Sequence, residues 1–368
     1  MKDTVRFMIV GSGWRAMYYA RIAKALPNFE LTAMLCRREE KKQKMEQEGI
    51  PAFLTREECL NTKPDFAVIA VDKPHMSETA AEWSKILPVL METPAGTDLK
   101  EIALLAKAEQ EGGKIAVAEQ YRCYATHIAG KRLLDKGLIG EPYYLCLSHA
   151  HEYHGMSLIR YYLNLPCDTE YCVSAKAWKF PTVETLSRYE RYTDGRIADK
   201  QRMLAVFEFA NGKTCVYDFD SEQYRSPIRS NLLKIQGVRG EIIDEKVRWL
   251  DENNLPKEAY MQVRKRRVHT DNPNPNFSEF DEITGIELEG EVIYTPPFGE
   301  AGLSEDETAI ACMLEQMRAY AKGEGENPYP LEEAIADSYG AILMKEAANT
   351  KESIVSAFRE NRDVWLKR

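Results

Sequence analysis

The chain has 368 residues and a formal net charge of −9, more than the roughly 250–300 residues at which one hydrophobic core stops growing, so two domains are expected. The acidic balance excludes a general nucleic-acid binder, which needs a basic face against phosphates. No apolar run approaches the ~18 residues of a bilayer span, and eight scattered cysteines come with no C-x-x-C pair and no secretory signal, so a soluble cytoplasmic protein with reduced thiols is expected.

The apolar run Val5–Val10 breaks at Gly11-Ser12-Gly13 and resumes as Trp14–Leu26, which predicts a buried strand, a tight glycine turn and a helix. In such a unit Gly11 permits the turn, Gly13 lets backbone N–H groups approach a pyrophosphate, and Ala16 stands where helix packs on strand. The N–H groups and dipole at the helix start make an anion site. Gly11, Ser12, Gly13, Trp14 and Arg15 are therefore the first expected dinucleotide contacts. A second strand, Phe29–Cys36, ends where this fold usually offers an acid to the adenosine ribose; Cys36-Arg37-Arg38 offers two cations instead, which suits a 2′-phosphate and favours NADP over NAD.

A charged helix over 39–48 follows, then strands at Pro64–Val71, Pro88–Glu92 and Lys114–Glu119, separated by helices at Ser77–Lys85 and Leu99–Glu111. The alternation predicts a doubly wound parallel sheet covered on both faces, with ligands beyond the carboxyl ends of its strands. Pro74 and His75, Glu92 and Thr93, and Arg122 occupy those ends and complete the expected cofactor-binding set.

In sequence order, Gly11-Ser12-Gly13-Trp14-Arg15-Ala16, Pro74-His75 and Glu92-Thr93-Pro94 resemble the glycine fingerprint, histidine-bearing turn and Glu-Lys-Pro tripeptide of the Gfo/Idh/MocA family of NAD(P)-dependent oxidoreductases. Tyr121-Arg122, Leu133–Gly137 and Gly140-Glu141-Pro142 resemble the stretch that opens that family's second domain, so the likeness spans nearly the whole chain. It implies an α/β protein: an N-terminal Rossmann doubly wound parallel sheet in residues 1–122, and a C-terminal α+β domain in residues 123–368 with a large open, mostly antiparallel sheet. One face of that sheet commonly forms a subunit interface in the family, so a homo-oligomer, dimer or tetramer, is expected.

In the second half, Tyr143 to His151 alternates in the manner of a two-faced strand. Further strands are predicted at Met203–Phe209, Lys213–Phe219 and Leu232–Gln236, with turns at Asn211-Gly212 and Gly237–Gly240. Residues 251–302 read as partly loop with short strands near Met261–Val268 and Ile286–Tyr294; the basic run Arg264-Lys265-Arg266-Arg267 reads as a solvated face. Ser304-Glu305-Asp306-Glu307 is a capping-box start for a helix ending at Gly323, and a last helix is expected over about Leu331 to Ala348.

The chemistry departs from the resemblance. Family dehydrogenases place the lysine of Glu-Lys-Pro and a downstream Asp-x-Gly-x-His-x-x-Asp around the reacting carbinol; here Thr93 replaces the lysine, and with Gly155 aligned on the motif glycine, Tyr153, Ser157 and Arg160 replace the rest. Thr93 does not ionise near neutrality and cannot serve as base. Tyr153, His154 and His151 are the catalytic candidates, since tyrosine can donate a proton to a carbonyl being reduced and histidine titrates near neutrality. His149 and His151 on one strand face could hold Zn²⁺, but no metal is expected. The resulting expectation is an oxidoreductase using NADP or NAD on a sugar-like, cyclitol or small carbonyl substrate. The alternatives are a dinucleotide-binding sensor without catalysis and a redox-neutral sugar-processing enzyme.

Overall fold

The structure is a computed structural model that describes residues 4–367, and the chain divides into two compact units. The first begins with strict alternation: β1 (Val5–Val10), α1 (Trp14–Ala25), β2 (Phe29–Leu35), α2 (Glu39–Gln47), β3 (Ala52–Phe53), α3 (Arg56–Asn61), β4 (Phe66–Ile69), α4 (Lys73–Trp83), β5 (Val89–Met91), α5 (Leu99–Gln110) and β6 (Ile115–Val117). All six strands pair in parallel, in the order β3-β2-β1-β4-β5-β6. The central strands are near-continuous buried runs, Phe7–Val10 and Phe66–Ile69 among them, as a sheet covered on both faces requires. The order reverses between β1 and β4, and the crevice beyond their carboxyl ends is where such sheets bind ligands.

The second unit holds α6 (Ala125–Asp135), β7 (Pro142–Ser148), α7 (Glu152–Leu163), β8 (Tyr171–Val183), β9 (Ile197–Phe209), β10 (Thr214–Asp220), β11 (Leu232–Gly237), β12 (Gly240–Ile243), β13 (Lys246–Leu250), β14 (Pro256–Tyr260), β15 (Gln262–His269), α8 (Pro275–Ser278), β16 (Glu279–Leu288) and β17 (Glu291–Tyr294). After them come α9 (Glu305–Lys322), α10 (Leu331–Thr350), β18 (Ile354–Val355) and α11 (Phe358–Lys367). Nine strands form one sheet in the order β14-β13-β12-β11-β7-β10-β9-β8-β18, antiparallel except for β7 beside β10. Its longest hairpin pairs Tyr171 with Phe209 and, twelve residues on, Val183 with Ile197. On the open face of that hairpin Trp178, Leu204 and Val206 are exposed. The basic run of β15 lies across from acids of β16: Arg264 pairs with Glu287 at 2.7 Å, Arg266 with Glu282, and Arg267 with Asp281 at 2.9 Å. That ladder of opposite charges occupies three of the four cations of the run within the sheet itself.

Three sequence expectations are corrected. The strand over Tyr143–His151 stops at Ser148, and helix α7 opens at Glu152, so Tyr153 and His154 ride on a helix rather than on the end of a strand. Nearly every side chain of α7 is buried, so it lacks the polar stripe that marks a surface helix. Helix α4 starts at Lys73, four residues before the predicted Ser77, and carries Pro74 and His75 in its first turn. The division at residue 122 is also incomplete: the first unit takes residues 1–123 and then residues 300–338 and 360–368, which the sequence reading gave to the second domain. Helix α9 thus belongs with α1, to which it is fastened by Arg15 with Asp306 at 2.7 Å and Arg21 with the fully buried Glu307 at 2.6 Å. Residues 327–330 also lie along the outer edge of β6, where Val117 donates to the Tyr329 carbonyl at 3.1 Å, so the edge is covered.

Candidate active site and cofactor cradle

The two glycines of the turn after β1 do different work. Gly11 has φ +115, and a Cβ there would stand 2.4 Å from the Ala70 carbonyl oxygen, so the fold itself demands glycine for the close approach of β1 and β4. Gly13 has an ordinary φ of −83, and a Cβ there would meet nothing within 4 Å. It is the N-cap of α1, with no side-chain cap and no acid in the first turn. Nothing in the packing requires glycine at 13; what it preserves is open space before the N–H donors of the helix start, and that space and those donors fit a dinucleotide pyrophosphate. Burial pushes the Cys36 thiol at the end of β2 up, with Ser12 opposing that shift, and Trp14 sits edge-on to Tyr18.

Arg15 is engaged inward. Its Nε donates to Glu92 at 2.9 Å and its Nη1 to Asp306 at 2.7 Å, while the buried Tyr19 hydroxyl also donates to Glu92. Burial and the Glu92 charge together push Tyr19 well above the usual tyrosine range. Gln120 donates to the other Asp306 oxygen at 3.0 Å. Glu92, the first residue of the altered tripeptide, is therefore neutralised by Arg15 from α1, and Thr93 beside it is half-buried. Arg122 lies over the Tyr329 ring at 4.8 Å. Next to it, burial drives Glu119 up to about 8 despite the opposing pull of Arg122, so this carboxyl at the end of β6 is largely protonated at neutral pH.

At the ribose end, Arg37 reaches Asp72 at 2.8 Å, and the same carboxylate meets His75 Nδ1 at 2.9 Å; hydrogen bonds from His75 and then Arg37 hold Asp72 below the usual carboxylate range. Arg38, the N-cap of α2, is exposed. Sequence reasoning named Arg37, Pro74 and His75 but missed Asp72, which ties two of them together and was legible only as one more strand-end residue.

In the second unit the histidine-rich segment splits in two. His149 turns inward: its ring lies 4.5 Å from that of His127, whose Nδ1 shares a hydrogen bond of 2.7 Å with the Tyr162 hydroxyl. Burial lowers His149 to about 4, and burial and then His149 put His127 well below its ordinary value. The expectation that His149 and His151 share one strand face is thereby overturned, and no group of three metal-ligating side chains occurs among the described residues. Both imidazoles are neutral at pH 7 and gain protons on unfolding, so stability is full above about pH 6.5 and falls as the pH drops toward 4. Each imidazole should cost up to ~1.4 kcal/mol per pH unit in that window. Urea titrations at pH 7.5 and 5 should show that loss, with a shallower slope in His149→Gln; a slope unchanged by the substitution would refute the assignment.

His151, by contrast, gathers the catalytic candidates. Glu152 takes φ +42, a left-handed conformation rarely adopted by such a residue; its N–H is held by the Tyr217 hydroxyl at 2.9 Å and its carboxylate by Lys345 at 2.6 Å. This kink brings residues two apart into contact: His151 Nε2 stands 3.0 Å from the Tyr153 hydroxyl. His154, buried, has its ring 4.5 Å from Tyr153 and 4.9 Å from His151. Gly155 is required here, since a Cβ would come within 2.5 Å of the Tyr217 ring. Tyr224, which sequence reasoning missed, completes the group from a short 3₁₀ turn after β10. That turn is capped by Asp220 and tied to the end of β7 by Gln223, which donates to the Ser148 carbonyl at 3.1 Å.

Residues 5–120 match the model of the oxidoreductase family Gfo/Idh/MocA, NAD-binding Rossmann fold. That match takes in the glycine turn and all six strands of the first sheet. Solved structures extend the likeness of fold over nearly the whole chain. An oxidoreductase from Agrobacterium radiobacter, in complex with NAD⁺, L-tartaric acid and magnesium, is 15% identical with a TM-score of 0.63, covering 96% of this chain and 98% of its own. A candidate NADPH-dependent oxidoreductase from Desulfitobacterium hafniense is 13% identical with a TM-score of 0.66, covering 98% and 99%. A myo-inositol 2-dehydrogenase from Lactobacillus plantarum is 14% identical with a TM-score of 0.63, covering 96% and 99%. No curated protein matches the chain in sequence. Among the described residues no helix is long and apolar enough to cross a membrane.

Proposed function

We propose that this Gfo/Idh/MocA relative is an NAD(P)-dependent oxidoreductase that reduces a small carbonyl compound of sugar or cyclitol type, with Tyr153, assisted by His151 and His154, as the proton-transfer group in place of the missing lysine. A bound nicotinamide dinucleotide supplies the hydride. Gly11, Ser12, Gly13 and Trp14 shape the pyrophosphate end of its site, while Arg15 holds Glu92 and Asp306 behind the turn. The observation that carries the reading is the contact of Tyr153 with His151 at 3.0 Å, because a carbonyl that accepts hydride becomes an alkoxide and needs a proton donor within hydrogen-bond reach. Thr93, with its non-ionising hydroxyl, packs or donates a hydrogen bond. Incubation with NADPH or NADH and a panel of inososes, keto-sugars and small ketones tests the reading through nicotinamide absorbance. Tight cofactor binding with no turnover on any of them would replace it with the sensor reading.

NADP(H) is the proposed cofactor. Arg37 shares its charge with Asp72, so the exposed Arg38 is the better placed of the two for a 2′-phosphate. A charge-assisted hydrogen bond is worth roughly 1.5–3 kcal/mol, so Arg38→Ala should weaken NADPH by about 10- to 100-fold in calorimetric titration and leave NADH nearly unchanged, with Arg37→Ala having the smaller effect. Equal losses for both cofactors, or a wild-type preference for NADH, would overturn this.

A further inference from the structure

We propose that Tyr224 is a positioning residue that holds His151 in its Nε2–H tautomer, so that Tyr153 presents its proton to the substrate and is resupplied along the line Tyr224, His151, Tyr153. This rests on the proton-donor reading of Tyr153 above. The argument is one of hydrogen accounting. The Tyr224 oxygen accepts the backbone N–H of His151 at 2.8 Å, and the same oxygen meets the ring Nδ1 of His151. A backbone N–H can only donate. If Nδ1 also carried a hydrogen, two N–H dipoles of one residue would converge on a single oxygen, and the Tyr224 proton would take no part in either contact. With Nδ1 bare, Tyr224 accepts one bond and donates the other. A neutral imidazole then keeps its single hydrogen on Nε2, and that N–H donates to the Tyr153 oxygen at 3.0 Å. Tyr153 thus accepts from His151, and its own proton is directed away from the histidine.

The turn that carries Tyr224 is built to hold this aim. Asp220 caps it by accepting from Glu222, Gln223 fixes it to Ser148 at the end of β7, and Lys200 meets Glu222 at 3.0 Å. The Phe219 ring lies 4.9 Å from the Tyr224 ring. In the forward step the Tyr153 O–H bond breaks and an O–H bond forms on the substrate alkoxide. The Nε2 proton moves to the Tyr153 oxygen, the Tyr224 proton moves to Nδ1, and water returns a proton to the half-buried Tyr224; the imidazole, left as the Nδ1–H tautomer, then gives up that proton to water and takes one from water on Nε2, so that the group is restored.

The tautomer can be read without any substrate. Protein labelled with ¹⁵N-histidine, with the His151 signals assigned by their loss in His151→Gln, should show the two-bond ¹H–¹⁵N pattern of an Nε2–H imidazole at pH 7.5. Tyr224→Phe should shift that pattern toward Nδ1–H and lower kcat about 10- to 100-fold with KM within about 3-fold, a share of the 10²–10⁴-fold typical of general acid catalysis. An Nδ1–H pattern in the wild-type protein would overturn the inference, and this holds even if Tyr224→Phe fails to fold. So would a Tyr224→Phe variant with unchanged tautomer and unchanged kcat. Normal turnover by Tyr153→Phe would instead remove the proton-donor reading and the relay with it, whatever tautomer His151 shows.

Discussion

Gly13→Val should fold with a melting temperature close to wild type and bind neither NADPH nor NADH, with affinity reduced by at least about 100-fold. The expectation comes from the contrast between the two glycines of the first turn. At Gly11 a side chain collides with the Ala70 carbonyl in a backbone conformation that L-residues avoid, so substitution there confounds folding with binding. At Gly13 the backbone is ordinary and a Cβ meets only open space, so the fold tolerates valine while the branched side chain fills the approach to the α1 donors. Quenching of intrinsic fluorescence or calorimetry measures the loss, and circular dichroism checks the fold. Undiminished affinity in a folded variant would remove the basis for placing the pyrophosphate there.

The second large effect belongs to Tyr153. Tyr153→Phe keeps the ring in its place beside His151 and His154 but removes the hydroxyl, and kcat at saturating cofactor should fall by about 10²- to 10⁴-fold. His151→Ala and His154→Ala should lose less, and Thr93→Ala less again. A Thr93→Ala variant that is crippled while the other three keep wild-type kcat would return the chemistry to the tripeptide position and refute the relocation.

What the sequence made legible, and what it hid, follows from which forces leave a local trace. The parallel sheet announced itself because each of its strands is buried on both faces and bounded by helices, so Phe7–Val10 and Phe66–Ile69 read as apolar runs whatever surrounds them. Helix α9 was legible from Ser304 and Glu307 alone, since a capping box is a contact between residues three apart. Helix α7 was not, because a helix buried all round loses its period, and its first residues carry the same polar aromatics that could have ended a strand. The long hairpin of β8 and β9 was read only at its last seven residues, since over Ile197–Arg202 charged residues stand on both faces, Asp199 on one and Lys200 and Arg202 on the other, and interrupt the alternation. In the candidate site the strand-end residues were readable from topology. Long-range partners were not: Asp306 is 291 residues from Arg15, and Tyr224 is 73 from His151, and nothing local in a sequence records such distances.

The fastening of α9 to α1 also bears on the order in which this protein can be made. The glycine turn and all six strands of the first sheet have left the ribosome once residue 123 is clear, but Asp306, Glu307 and the segment that covers β6 follow only after about 180 further residues. At about 5–20 residues per second the nascent dinucleotide domain waits on the order of 10–40 s with Arg15 and Arg21 lacking their α9 acids and with the edge of β6 bare, while residues 124–299 of the second unit are made. Translation therefore interleaves the two units, since residues 300–338 of the first are made before residues 339–359 complete the second, and a fragment cut at residue 122 would be arrested in that waiting state.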